Sequence, residues 1–293
     1  MKADNLRQVV PDVRWDYRFK TGLIIFLLLV LSDLRDVQAQ CLYGSNIFTA
    51  GEKIEYDLYF KWGFIVPRAG LATLSMENGK YEGKSALHYN LLFRTSGMFD
   101  KIYRMRDTIE CYFSPKMSLL YSSKRTNDGD YYLVENLKFS YKDNLVSAHN
   151  HRYTMSQTKI DTVLTDEACM FDMLAATLYL RDIDWTNLKF GEEFPFKIAI
   201  GRDVVNASFR YMGQAIVEHK SNIKYSTRRF YIDVYDEAFT QSKEAAEIWI
   251  GDDANHIPVK IRARLKIGAV EVYYKSSEGL RYPLTCRVVV PKR

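Results

Sequence analysis

What the chain lacks bounds its chemistry first. It has no Gly-x-Ser-x-Gly elbow, no Ser-x-x-Lys among supporting motifs, no His-Glu-x-x-His and no glycine-rich phosphate loop. The local signatures of the common hydrolases, zinc proteases and nucleotide enzymes are therefore missing. Its four cysteines, Cys41, Cys111, Cys169 and Cys286, lie too far apart for a Cys-x-x-Cys redox or zinc motif, so neither cofactor nor metal is expected. A formal charge of +5 over 293 residues, with no continuous Lys/Arg patch, argues against a nucleic-acid partner. No Pro/Gly/Ser-rich linker or low-complexity tract divides the chain. The longest apolar run, Leu23 to Leu31, is about half of the roughly 20 residues that cross a bilayer core, which argues against a permanent span.

That run is informative for another reason. Arg14, Arg18 and Lys20 precede it and Val37-Gln38-Ala39 follows it, the order of a basic region, an apolar core and a small-residue cleavage site. Residues 1–39 read as a signal peptide, cleaved after Ala39 to leave 40–293 as one exported β-rich domain. Asp33, Arg35 and Asp36 make the stretch before the cleavage site polar and leave retention as a signal anchor as the alternative. Lipidation of Cys41 is disfavoured because Gln40, not a small residue, stands before it. An oxidising compartment permits disulfides. Four cysteines allow three pairings, and the simplest view has Cys111 and Cys169 as small buried hydrophobes, with Cys41 and Cys286 as the pair able to bridge.

Twenty-one Tyr and 16 Phe favour strands. Ile54, Tyr56, Leu58, Phe60 and Trp62 alternate with Glu55, Asp57, Tyr59 and Lys61, the period of a half-buried strand. Val259, Ile261, Ala263, Leu265 and Ile267 alternate in the same way with Lys260, Arg262, Arg264 and Lys266. Further strand-like runs cover 70–76, 86–95, 104–113, 119–125, 131–141, 144–152, 194–200, 204–212, 214–219 and 223–235. Asn78-Gly79, Asp128-Gly129 and Asp143-Asn144 are placed as hairpin turns. One helix interrupts them, about residues 166–181: Cys169, Met170, Met173, Leu174, Thr177, Leu178 and Leu180 recur at three- and four-residue steps, with Thr165 or Asp166 as cap. Apolar around much of its girth, it is expected inside a curved antiparallel sheet, an incomplete β-barrel. Gly51-Glu52 and Gly191-Glu192 open two strand runs on either side of the helix, a hint of two similar halves.

Three constellations stand out. Asp252, Asp253, Asn255 and His256 crowd a loop between Gly251 and Pro258. Read plainly, this is a solvated turn whose side chains bond local backbone; read as a site, its oxygens suit a hard cation or acid–base work, although the spacing of a calcium loop is absent. His149 and His151, two apart on a strand, share a face as metal ligands do, but no third ligand is indicated and a polar strand end is the simpler reading. Asp100, Arg104, Arg106 and Asp107 suit local ion pairs on a solvated face, or an anionic ligand.

Gly51-Glu52 before an aromatic strand, Ala69-Gly70-Leu71-Ala72, and above all Trp249-Ile250-Gly251-Asp252-Asp253 followed by Pro258-Val259-Lys260-Ile261 resemble the exported bacterial family termed domain of unknown function 3108. The resemblance spans about residues 45–290, with Gly251 where a Ser is expected. It implies a periplasmic location and a fold similar, by looser analogy, to the periplasmic lipoprotein carriers; it implies no activity. The leading expectation is a noncatalytic binding or carrier protein for an apolar or lipid-like ligand, with Tyr56, Phe60, Trp62 and Trp249 turned inward. The alternative is a structural or interaction protein whose Lys260, Arg262, Arg264, Lys266 face meets an anionic envelope protein, glycan or headgroup. The third reading is an enzyme with a site drawn from distant residues, centred on Asp252, Asp253 and His256.

Overall fold

The computed structural model describes residues 47–288 apart from 62, 168, 220–222, 236–241 and 266–267. The signal segment, Cys41, Trp62, Lys266 and Ile267 lie outside the described residues. Eight antiparallel strands come first: β1 (Lys53–Lys61), β2 (Arg68–Tyr81), β3 (Lys84–Thr95), β4 (Arg106–Phe113), β5 (Leu119–Asp128), β6 (Tyr131–Lys142), β7 (Leu145–Thr154) and β8 (Thr158–Asp166), with a short helix α1 (Gly97–Ile102) between β3 and β4. After them come β9 (Met170–Phe171), the helix α2 (Ala175–Asp182), β10 (Glu193–Ile200), β11 (Asp203–Glu218), β12 (Lys224–Tyr235), β13 (Ser242–Gly251), β14 (Pro258–Arg264), β15 (Ala269–Glu278) and β16 (Arg287–Val288).

All belong to one sheet. Both halves are meanders, and they join where β1 pairs with β15, so the two edges of the sheet are β8 and β9, which are consecutive in the chain. The sheet thus curls into a nearly closed barrel with an unsealed seam. Side chains cross that seam in place of a backbone ladder: Lys197 pairs with Asp166, Arg202 donates to the Lys159 carbonyl at 3.1 Å, and Asn150 donates to the Gly201 carbonyl at 2.7 Å. Covering edge strands in this way blocks pairing with a second chain.

The period-two pattern is borne out in part: Ile54 and Tyr56 of β1 and Val259 of β14 are buried, whereas Leu58, Phe60, Ile261 and Ala263 are half-buried and Leu265, beyond the end of β14, is exposed. Ala72, Leu74 and Met76 of β2 and Ile54 and Tyr56 of β1 point into the core. Asp143-Asn144 forms a tight turn with both φ values positive, 50° and 66°. Asn78-Gly79 does not turn. It lies inside β2, paired with Leu87 and Ala86, and the hairpin closes four residues later at Glu82-Gly83. The strand β8 carries only Ile160 and Leu164 as buried apolar residues, too few to stand out in the sequence.

The helix is shorter than its apolar spacing predicts. Met170 and Phe171 pair in parallel with Lys197 and Ile198 of β10, which commits their backbone to the sheet. The first turn is then satisfied by Asp172, whose carboxylate accepts the Ala175 N–H at 2.7 Å, rather than by Thr165 or Asp166, which end β8. α2 lies within the curl: Ala175, Leu178 and Leu180 belong to one continuous core with strands of both halves. Tyr179 of α2 packs with Phe171, Phe196 and Phe209, ring centroids 4.5–6.4 Å apart within the group.

The two Gly-Glu dipeptides share one backbone device. Gly51 N–H donates to the Met76 carbonyl (2.8 Å) and Met76 N–H returns to the Glu52 carbonyl (2.9 Å); Gly191 and Glu192 make the same pair of bonds with Tyr211, at 2.8 and 2.9 Å. Both glycines have positive φ, 98° and 82°, which a side chain would disfavour. Each half therefore enters its first hairpin through the same turn.

Candidate functional site

Strand direction alternates around the curl, so the connections fall at two ends. At the end where β1 begins, the Asp252–His256 loop lies at the centre of a buried knot and is not a solvated turn. Arg181, the penultimate residue of α2, reaches Glu52 in a bidentate pair at 2.6 and 2.9 Å and donates to the Asn255 carbonyl at 3.0 Å. Arg181, Glu52 and Asn255 are all almost fully buried. Asn255 bonds the backbone of Tyr282 in both directions, and Asp253 accepts the N–H groups of Thr285 and Cys286 at 3.0 Å. Asp252 pairs with Arg228 at 2.9 Å. His256 lies flat on Trp185, centroids 3.6 Å apart, with Nδ1 2.8 Å from the Arg181 carbonyl; that nitrogen therefore donates. Burial lowers the His256 pKa and favours the neutral ring. These groups bond backbone some 30 residues away, tying the C-terminal segment and α2 to the β13–β14 loop.

A second buried cluster sits at the start of α2. Ser122 donates to Asp172 at 2.6 Å and the Cys111 thiol at 3.2 Å, while burial pushes both the Asp172 carboxyl and the Cys111 thiol up. Beside it is a cavity of about 60 Å³ lined in part by Lys124, Glu135, Arg152 and Met173, room for a few waters and not for an acyl chain. Cys111 and Cys286 are free and buried, whereas Cys169 is disulfide-bonded. The expected arrangement is thereby corrected twice: Cys169 is not a free buried hydrophobe, and Cys286 is free and forms no bridge to Cys41, its sulfur instead filling the space over Gly251.

Of the four aromatics expected to line a ligand site, Trp62 lies outside the described residues and the other three do not converge. Tyr56 is in the core. Trp249 lies between Ile248 and Ile250, which face the core, so it projects from the outer face, where Lys260 stacks over it at 4.8 Å. Phe60 is half-buried against Phe99 of α1, centroids 6.3 Å apart. The cationic face of β14 is largely compensated: Arg262 pairs with Glu271 at 2.8 Å, Arg264 with Glu244 at 3.2 Å, and burial lowers the pKa of Lys260. His149 meets Asp161 at 2.6 Å and His151 stacks on Tyr153, both on the outer face. Among the described residues no group of three or more His, Cys, Asp or Glu side chains is placed to hold a metal.

The opposite end, the rim, is different. The β1–β2 hairpin tip carries Phe64, fully exposed, and Ile65, 62% exposed. Beside its neck α1 presents Met98 (69%) and Ile102 (77%), followed by the exposed Tyr103. Tyr131, Met155 and Leu265 are exposed on neighbouring turns of the same end. α1 is held firmly: Arg106 grips Asp100 at 2.6 and 3.0 Å, Thr95 donates to Asp100 at 2.7 Å, and Ser96 N–H bonds the Ala69 carbonyl at 3.0 Å. The Arg106 guanidinium holds the Asp100 carboxyl down at about 2. Of the charged stretch singled out in the sequence, Asp100 and Arg106 thus form a local pair and Arg104 remains exposed. The rim was not anticipated; Phe64-Ile65-Val66 between Gly63 and Pro67, an apolar turn, was its available signal.

The family model for proteins of unknown function DUF3108 matches residues 55–275. No curated protein matches in sequence. Among solved structures, the chain is similar to a β-barrel-like protein of the domain of unknown function DUF1849 from Brucella abortus, with a TM-score of 0.51 and 11% identity over 78% of this chain and 96% of that one. A protein with a YmcC-like fold from Bacteroides fragilis matches over the same shares at a TM-score of 0.34 and 9% identity. The first likeness speaks to fold. No helix among the described residues is long and apolar enough to cross a membrane.

Proposed function

We propose that this chain, which belongs to the DUF3108 family of proteins of unknown function, is an exported, noncatalytic binding protein of the cell envelope that engages an apolar or lipid-like ligand at its rim. The observation that carries this reading is the contrast between the two ends. Titratable groups at the knot and at the start of α2 are tied into bonds that hold the fold together, whereas the apolar side chains of the rim are left to solvent. Contiguous exposed apolar surface at one end of a molecule marks an interaction site. Export to the periplasm is the reading supported by the signal-like residues 1–39 and by the disulfide at Cys169, a bond that oxidising compartments favour.

Native mass spectrometry of protein purified from a periplasmic fraction tests the reading. A reproducible lipid-sized mass that is lost when Phe64 and Ile65 are replaced by Ser is the expected result. Ligand-free protein that also fails to take up lipophilic fluorescent probes would refute it.

A further inference from the structure

We propose that the rim docks on the surface of a lipid bilayer carrying anionic headgroups, with the Phe64–Ile65 tip and the exposed face of α1 entering the headgroup–acyl boundary. This rests on the reading that the rim is where apolar ligand is met, and names the form in which that ligand is presented.

Three observations lead to a bilayer. The first is shape. Phe64 stands wholly exposed at the end of a hairpin, a convex tip, and convex apolar tips enter a soft interface readily, whereas a folded partner would have to supply a matching hollow. The second is the order of side chains. Apolar Phe64, Ile65, Met98 and Ile102 are accompanied by Tyr103 and by the cations Lys61 at the hairpin base and Lys101 and Arg104 on and after α1. Aromatic rings at headgroup level and cations beside an apolar face form the pattern of interfacial anchors, and the cations complement anionic lipid. The third is rigidity. The Asp100–Arg106–Thr95 lock and the Phe60–Phe99 contact hold α1 beside the hairpin neck, so the apolar residues are presented together without an ordering step at binding.

The test is flotation of the full mature protein with vesicles of phosphatidylcholine containing about one-third phosphatidylglycerol, alongside vesicles of phosphatidylcholine alone. The protein is expected to float with the anionic vesicles. Phe64→Ser/Ile65→Ser should lower the bound fraction by roughly tenfold or more, since two interfacial apolar side chains are lost. Lys101→Glu/Arg104→Glu, or high salt, should weaken binding several-fold. The substituted side chains are exposed, and an unchanged circular dichroism melt checks that each variant is folded. Phe64→Trp supplies an independent readout: its emission should shift to the blue on adding anionic vesicles. Wild-type protein that stays with the soluble fraction, or a Phe64→Ser/Ile65→Ser variant that floats equally well, overturns the proposal. So does a tip-dependent dimer in sedimentation without flotation, which would assign the rim to a second copy. Flotation with neither a copurifying lipid nor probe uptake keeps the docking and refutes binding of a single lipid-like molecule; a copurifying lipid without flotation does the reverse.

Discussion

Arg181 and Glu52 are 129 positions apart in sequence and form a bidentate, almost solvent-free ion pair at 2.6 and 2.9 Å. One is carried by the helix inside the curled sheet, the other by the turn that begins β1. The pair joins the helix to the strand at which the two meanders meet, and its third bond, to the Asn255 carbonyl, draws in the β13–β14 loop. In this way the Gly51-Glu52 turn and the Asp252–His256 loop meet at one structural point.

Removing one partner leaves the other charge buried without compensation. Arg181→Leu is expected to lower stability by about 3–5 kcal/mol, and Glu52→Leu by a similar amount. The double variant should lose much less than the sum, because no lone charge remains. Urea denaturation of the four proteins measures the coupling; additive losses would show that the two residues act separately.

Gly251 has no room for a side chain, and the reason is steric. A Cβ at this position would lie 2.7 Å from the Cys286 sulfur. Gly251→Ala is expected to cost about 1–3 kcal/mol through overpacking, and most of that should return when Cys286→Ala removes the sulfur. Thermal melts of the two singles and the double decide the matter, and an equal cost in both backgrounds would refute it.

His256 titrates below its ordinary pKa of 6.5 because burial disfavours the charged ring. A folded-state pKa below the unfolded one means that the neutral ring's contribution to stability is present above 6.5 and is lost as pH falls through the folded value. NMR titration should place His256 below 6.5, and His256→Phe, which keeps a flat ring over Trp185, should flatten this part of the stability–pH curve. A normal or raised pKa would contradict the buried, donating geometry.

Asp172 behaves in the opposite sense. Burial raises its carboxyl above the ordinary 3.8, so its contribution is complete below 3.8 and declines as pH rises through the folded value. Asp172→Asn keeps an oxygen for the Ala175 N–H and should remove that decline, while Asp172→Ala also removes the first-turn bond and should cost about 1–2 kcal/mol at all pH values. Circular dichroism melts across acid to neutral pH separate the two variants.

The strands of this protein were legible because burying one face of a sheet writes a period of two into the sequence, as in Ile54, Tyr56 and Leu58. β8 was not, because only Ile160 and Leu164 are buried and its remaining positions are Thr, Asp and Lys apart from the exposed Val163, which breaks the alternation. The helix was found but overextended, since three- and four-residue spacing cannot distinguish a helical turn from the short parallel pairing of Met170 and Phe171 with β10. The Asp252–His256 loop was singled out, but its role was hidden: Asp253 and Asn255 bond Thr285, Cys286 and Tyr282, which lie about 30 residues away. Arg181 carries no local signal, because a cation in the last turn of a helix is ordinarily exposed, and only the position of Glu52 makes its burial possible.

By itself, then, the sequence determined the local pleat, the tight turn at Asp143-Asn144 and the presence of one apolar helix, because each depends on the φ/ψ preferences and burial of neighbouring residues. Only the tertiary structure decided that β1 closes on β15, that Arg181 meets Glu52, and that Phe64 and α1 share a rim. These are contacts between distant segments, and they exist only once the sheet has curled far enough to bring its two halves together.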